Sequence, residues 1–166
     1  PLNKLSPKTR RPGAPGASWL QSFVAKIEDN IVETFRHLPA AEFEQTVSLL
    51  ADRRKQLHVI GGRFTDALAH YLSVQLRIVR PGVNHLRDQE ANWYDQVLDM
   101  GKRDVLVIFD IRRYQASLLR LAQAASRRQV SVILITDQWL SPISRMATHV
   151  LPARIEAPSV WDSSVA

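Results

Sequence analysis

Residues 104–135 read DVLVIFDIRRYQASLLRLAQAASRRQVSVILI, and this stretch decides the fold. Val105 to Phe109 and Val130 to Ile135 are apolar runs rich in β-branched residues, not alternating ones. Strands of that kind are covered on both faces, which is the parallel-sheet case. Between them Tyr114, Leu118, Leu121, Ala122 and Ala125 recur at spacings that mark one face of a helix. Strand, helix and strand in this order predict a right-handed crossover.

The same alternation continues in both directions. Upstream, Leu57 to Ile60 is a short apolar run ending in Gly61 and Gly62, followed by a helical face of Phe64, Ala67, Leu68, Tyr71 and Leu72. Pro81 and Gly82 interrupt, and Val83 to Leu86 suits a short second strand. Asp88 can cap a helix that presents Trp93, Val97 and Met100 and stops at Gly101. Downstream, a helix is expected from Ser141 with Pro142 in its first turn, then a fifth strand over Thr148 to Leu151. Residues 57–166 are therefore expected to form an α/β domain, a three-layer open parallel sheet.

Two amphipathic helices precede it within residues 18–56. After Ser18, an N-cap type, Leu20, Val24, Ile27, Ile31, Phe35 and Leu38 form one stripe, Pro39 breaks the helix, and Phe43, Val47, Leu50 and Ala51 repeat the pattern. The stripe either packs on its own core or joins two copies of the chain. Residues 1–17 hold Pro1, Pro7, Pro12 and Pro15 with Gly13 and Gly16 and read as a linker.

At 166 residues the chain is long enough for one core and an appendage. No apolar run approaches the ~20 residues of a membrane span, and no secretory signal pattern is visible, so a membrane partner is not expected. The absence of cysteine excludes disulfides and thiolate metal sites, which suits the cytoplasm. The net charge is +6, and 17 of the 22 basic residues are arginine. Guanidinium forks favour oxyanion partners, although a solvated basic surface has the same composition. The longest basic run is Arg53, Arg54, Lys55, too short for a nucleic-acid tract. A start at Pro1 and an end inside a new element suggest a piece of something longer.

In an open parallel sheet, ligands bind beyond the carboxyl ends of the strands. Three loops occupy that edge here. The first offers Gly61, Gly62, Arg63 and Thr65, where the glycines either let backbone approach a ligand or serve the turn alone. The second offers Asp110, Arg112 and Arg113 at a helix entry; Asp110 is either the internal partner of the arginines or a neighbour of an acidic ligand. The third offers Thr136, Asp137 and Ser141. No catalytic constellation stands out: His37, His58, His70, His85 and His149 lack metal spacing, no G-x-S-x-G elbow occurs, and nothing brings His85 and Glu90 together as acid and base. No metal and no cofactor are expected.

Several of these pieces carry a family resemblance. A helix ending in basic residues before Leu57 to Gly61, the strand Asp104 to Phe109, and Thr136-Asp137 leading to Leu140-Ser141-Pro142-Ile143 resemble the sugar isomerase (SIS) domain of RpiR/MurR-type bacterial transcription regulators. Ala157-Pro158-Ser159 with Asp162-Ser163 resembles the opening of that domain's last helix. The resemblance implies a flavodoxin/Rossmann-like effector domain that binds a phosphosugar or other anionic metabolite. It also implies a homodimer or higher homo-oligomer, with operator DNA read only through an amino-terminal helix-turn-helix domain missing from residues 1–166. A SIS-type sugar-phosphate isomerase is the alternative. One departure is plain: the family's second loop is of the S-x-S-G-x-T kind, whereas here Asp110, Arg112, Arg113 and Tyr114 replace its hydroxyls and glycine.

Overall fold

In the computed structural model, which describes residues 16–87 and 90–156, five strands form one sheet. They are β1 (Gln56–Gly61), β2 (Val83–His85), β3 (Asp104–Asp110), β4 (Ser131–Asp137) and β5 (His149–Ala153), in the order β2-β1-β3-β4-β5. The helices are α1 (Gly16–His37), α2 (Ala40–Ala51), α3 (Asp66–Val79), α4 (Glu90–Leu98) and α5 (Ala116–Arg127). β1 pairs in parallel with β2 and with β3, and β3 with β4. The register sets Gly61 opposite Phe109 and Asp110 opposite Thr136. Three strands thus end level at one edge, and their loops are brought together.

The apolar strands are explained by what covers them. On one face Ile60, Leu106, Ile108, Val132 and Leu134 pack with Leu118, Leu121, Ala122 and Ala125 of α5 and with Trp93 and Val97 of α4. On the other Leu57, Val59, Val105, Val107 and Ile133 meet Ala69 and Leu72 of α3 and Leu49 and Leu50 of α2. Each fully buried Leu, Ile or Val side chain stabilises the fold by about 1.5–3 kcal/mol relative to exposure. Alternate residues of one strand feed opposite cores, so neither face tolerates a polar pattern. This is the open three-layer α/β arrangement expected from residues 104–135.

Several local expectations are corrected. The helix expected from Ser141 is a single 3-10 turn, Pro142–Arg145: Ser141 Oγ accepts from Ile143 N, Ile143 is wholly buried, and Thr148 N already bonds Val132 O as β5 begins. Too few residues intervene for a longer helix. Phe64 and Tyr71, expected on the inner face of α3, are exposed. α3 starts at Asp66, so Phe64 belongs to the preceding turn. The capping role read for Asp88 and the last-helix motif at Ala157 to Ser163 lie outside the described residues.

Arg80 was not foreseen as a core element. It is 5% exposed, and its guanidinium donates to the carbonyls of Leu50, Lys55 and Pro81, so one side chain ties the end of α2 to the entry of β1. With α2 and the sheet it belongs to one compact unit, residues 38–152. α1 belongs to a second unit with the segment after Pro152. Within it Asn30 donates to Glu156 O at 2.6 Å and accepts from Glu156 N at 3.2 Å, while Thr34 Oγ accepts from Arg154 N at 2.8 Å. The amide imitates a strand partner. Leu20, Val24, Ile31 and Phe35 of the predicted stripe stay exposed.

Candidate functional site

A cleft of about 190 Å³ opens at the carboxyl edge of β1 and β3. Its buried wall is formed by Gly62, Thr65 and Asp110 with half-buried Gln115; Arg63, Phe64 and Arg113 stand exposed at its mouth, beside Ile111. The guanidinium carbons of Arg63 and Arg113 lie 5.5 and 5.9 Å from the centroid of the Phe64 ring. One aromatic face therefore gathers two cations at the mouth.

The first loop is closed by its own atoms. Thr65 Oγ donates to Phe109 O at 2.7 Å and accepts from Gly62 N at 2.8 Å. That hydroxyl and that amide are committed to joining the loop to β3. Gly61 serves the turn, since a Cβ there would lie 2.4 Å from the Thr65 carbonyl carbon. Of the two readings of the glycine pair, packing accounts for Gly61.

The second and third loops are braced by two buried carboxylates. Asp137, fully buried, accepts from Arg112 N, from Tyr114 OH at 2.6 Å and from Trp139 N at 3.0 Å. Burial and this bond push the Tyr114 hydroxyl well above its ordinary range. Arg112, held at φ 57°, sends its guanidinium 4.0 Å over the Trp139 ring, away from the lining of the cleft. Asp110 accepts from Ser141 Oγ at 2.5 Å and from Gln115 N at 3.4 Å, at the amino end of α5. Thr136 Oγ donates to Asp110 O and accepts from Ser141 N.

Of the nine residues expected to bind a ligand, the cleft gathers Gly62, Arg63, Thr65, Asp110 and Arg113. Gly61, Arg112, Thr136 and Ser141 do not line it; they hold its walls. Phe64, Ile111 and Gln115 were missed, because helical periodicity had claimed Phe64 and nothing in the residue types marked the other two.

Burial pushes the Asp110 carboxyl above its ordinary 3.8, against the bonds from Ser141 and Gln115, and nearby Asp137 adds to the rise. The folded state then holds the Asp110 proton more tightly than the unfolded chain. Its stabilising contribution is full below the unfolded value and is lost as pH rises through the higher folded value. Relative to Asp110→Asn, the wild type should therefore lose stability between about pH 4 and pH 7. Urea titrations of both proteins across that range check this; a constant difference would contradict it.

The two histidine-centred candidates for proton transfer are placed differently. His85 lies within 2.7 Å of Asp66 Oδ1 through Nε2, and its Nδ1 accepts from Arg87 Nε. Both ring nitrogens are occupied, and the side chain is 2% exposed. Glu90 begins α4. Among the described residues, no helix is long and apolar enough to cross a membrane, and no three His, Asp or Glu side chains are grouped to hold a metal ion.

A parallel sheet with helices on both faces and a ligand-sized cleft at its carboxyl edge defines a small-molecule-binding type of α/β domain. The sequence model of the SIS domain matches residues 49–166, and the chain belongs to that family. No curated protein sequence matches. Among solved structures, the sugar isomerase domain of the RpiR transcription factor from Sphaerobacter thermophilus superimposes with a TM-score of 0.73 at 21% identity, covering 83% of this chain and 76% of that one. Vibrio vulnificus NanR, complexed with ManNAc-6P, gives a TM-score of 0.70 at 16% identity, covering 85% and 53%. A Methanococcus jannaschii protein, whose structure was read as that of a 3-hexulose-6-phosphate isomerase, gives 0.55 at 13% identity, covering 68% and 59%. At these identities the likeness is one of fold. It spans regulators and isomerases alike.

Proposed function

We propose that this SIS domain is the effector-binding and dimerisation domain of a cytoplasmic transcription regulator of the RpiR type, sensing a sugar phosphate or another anionic metabolite. The observation that carries the reading is the cleft itself. Arg63 and Arg113 converge on Phe64 at its mouth, while the hydroxyls of Thr65, Thr136 and Ser141 and the carboxylates of Asp110 and Asp137 are spent on internal hydrogen bonds. Such a site can hold an anion but offers no positioned group to move a proton, which an aldose–ketose isomerisation needs. The regulator structures among the neighbours support the same reading, and the complex of NanR with ManNAc-6P supports an anionic ligand.

In this reading, operator DNA is contacted by a helix-turn-helix domain joined to this one. Operators are commonly two-fold sites matched by two-fold proteins. The exposed stripe Leu20, Val24, Ile31 and Phe35, and the apolar outer face of α3 with Tyr71, Val74 and Ile78, are the surfaces on which a second copy would bury area.

A thermal-shift screen of phosphosugars and sugar acids tests the binding claim. A hit should be weakened about tenfold by Arg113→Gln, the loss of one charge-assisted contact. Turnover of any sugar phosphate by the chain, or a hit indifferent to Arg113→Gln and to Arg63→Gln, would overturn the reading.

A further inference from the structure

The cleft has a polarity of its own. Its inner end lies at the amino terminus of α5, a place where the helix dipole and free amides favour a negative charge. The chain fills that place itself. Asp110 Oδ1 accepts from Gln115 N, the N-cap residue of α5, and Oδ2 accepts from the Ser141 hydroxyl, so the carboxylate is fixed and 3% exposed. Buried Asp137 stands behind it, bonded to Tyr114 and to the Trp139 amide. The inner end is thus negative and already compensated. The outer end is positive, with Arg63 and Arg113 about one phenyl ring.

We infer that the cleft binds its ligand with the anionic group outward, between Arg63 and Arg113, and uncharged hydroxyls turned inward toward Asp110, and that Asp110 is the specificity residue that excludes a phosphate from the inner end. A phosphate at the amino end of α5 would meet a fixed carboxylate in a poorly solvated wall, and like charges at such range repel strongly. An inward hydroxyl meets the same carboxylate as a hydrogen-bond donor.

Charge favours one ligand class further. Residues 61–65, 110–115 and 136–141 carry three guanidinium groups, Arg63, Arg112 and Arg113, against two carboxylates, Asp110 and Asp137. The three loops together are therefore positive by one charge. A carboxylate neutralises it and matches the guanidinium fork, whereas a phosphate dianion overshoots. The ligand class is a small polyhydroxy carboxylate, a sugar acid, in preference to a phosphosugar of the same length. This inference rests on the ligand-binding reading of the same cleft.

The test is isothermal titration of the whole chain near neutral pH with two panels, hexonates and hexuronates on one side and hexose phosphates on the other. The best sugar acid should bind the wild type at least about tenfold more tightly than the best hexose phosphate. Asp110→Asn, which keeps the shape and both hydrogen bonds, should raise hexose phosphate affinity at least about tenfold and should make inorganic phosphate a detectable ligand. Its effect on the sugar acid should be under about threefold. Asp110→Ser supplies a second neutral replacement if the amide variant does not fold. Equal or tighter binding of hexose phosphates by the wild type overturns the inference and leaves the ligand-binding reading standing, as does a phosphate affinity unmoved by neutralising Asp110. Binding of neither panel to any of the proteins overturns both.

Discussion

Asp137→Ala should destabilise the chain by about 3–5 kcal/mol, lowering the midpoint of thermal unfolding by about 10 °C. The carboxylate is fully buried and receives three donors, Arg112 N, Tyr114 OH and Trp139 N. Hydrogen bonds to a charged group are worth about 1.5–3 kcal/mol each, and alanine leaves the donors unsatisfied in a place water enters poorly. The costs do not add fully, because removing Asp137 also relieves its repulsion of Asp110. Asp137→Asn keeps one acceptor oxygen and should lose less. Without the carboxylate, Arg112 loses the bond that holds its amide at φ 57°, a conformation that costs a non-glycine residue of order 1 kcal/mol or more. The second loop should therefore relax, and Trp139 emission should shift as Arg112 leaves its ring. A midpoint within about 2 °C of wild type would show that the brace is not structural.

That brace also marks where the sequence stops being informative. The sheet was legible because residues 105–109 and 130–135 had to be covered on both sides, and periodic Leu118, Leu121, Ala122 and Ala125 supplied one cover. Pattern reasoning works when a residue's surroundings repeat along its own element. Asp137 reaches back 25 residues to Arg112, and Ser141 31 residues to Asp110, so their roles depend on register between loops and not on local spacing. Residue type alone showed hydroxyls and carboxylates at a ligand-binding edge. It did not show that the donors of Thr65, Thr136 and Ser141 turn toward neighbouring carbonyls and carboxylates. Arg80 escaped for the same reason: a long polar side chain is read as exposed unless three carbonyls from other segments wait for it.

Gly61→Ala should cost about 3 kcal/mol or more and abolish ligand binding at the cleft. The added Cβ would stand 2.4 Å from the Thr65 carbonyl carbon and 2.5 Å from Asp66 N, and both neighbours are backbone. Backbone cannot step aside as a flexible side chain does. The start of α3 would have to move away from β1, and the Thr65 hydroxyl would lose its bonds to Phe109 O and Gly62 N. Two comparisons isolate the cause. Gly62→Ala meets only the Gln115 carboxamide, at 3.2 Å, so a side-chain adjustment absorbs it and the loss should stay near about 1 kcal/mol. Gly101→Ala meets nothing within 4 Å and should be close to neutral. If thermal unfolding ranked Gly61→Ala no worse than Gly62→Ala, the first loop would be more plastic than its geometry states. The cleft wall would then owe its position to Thr65 and Asp110 and not to the turn.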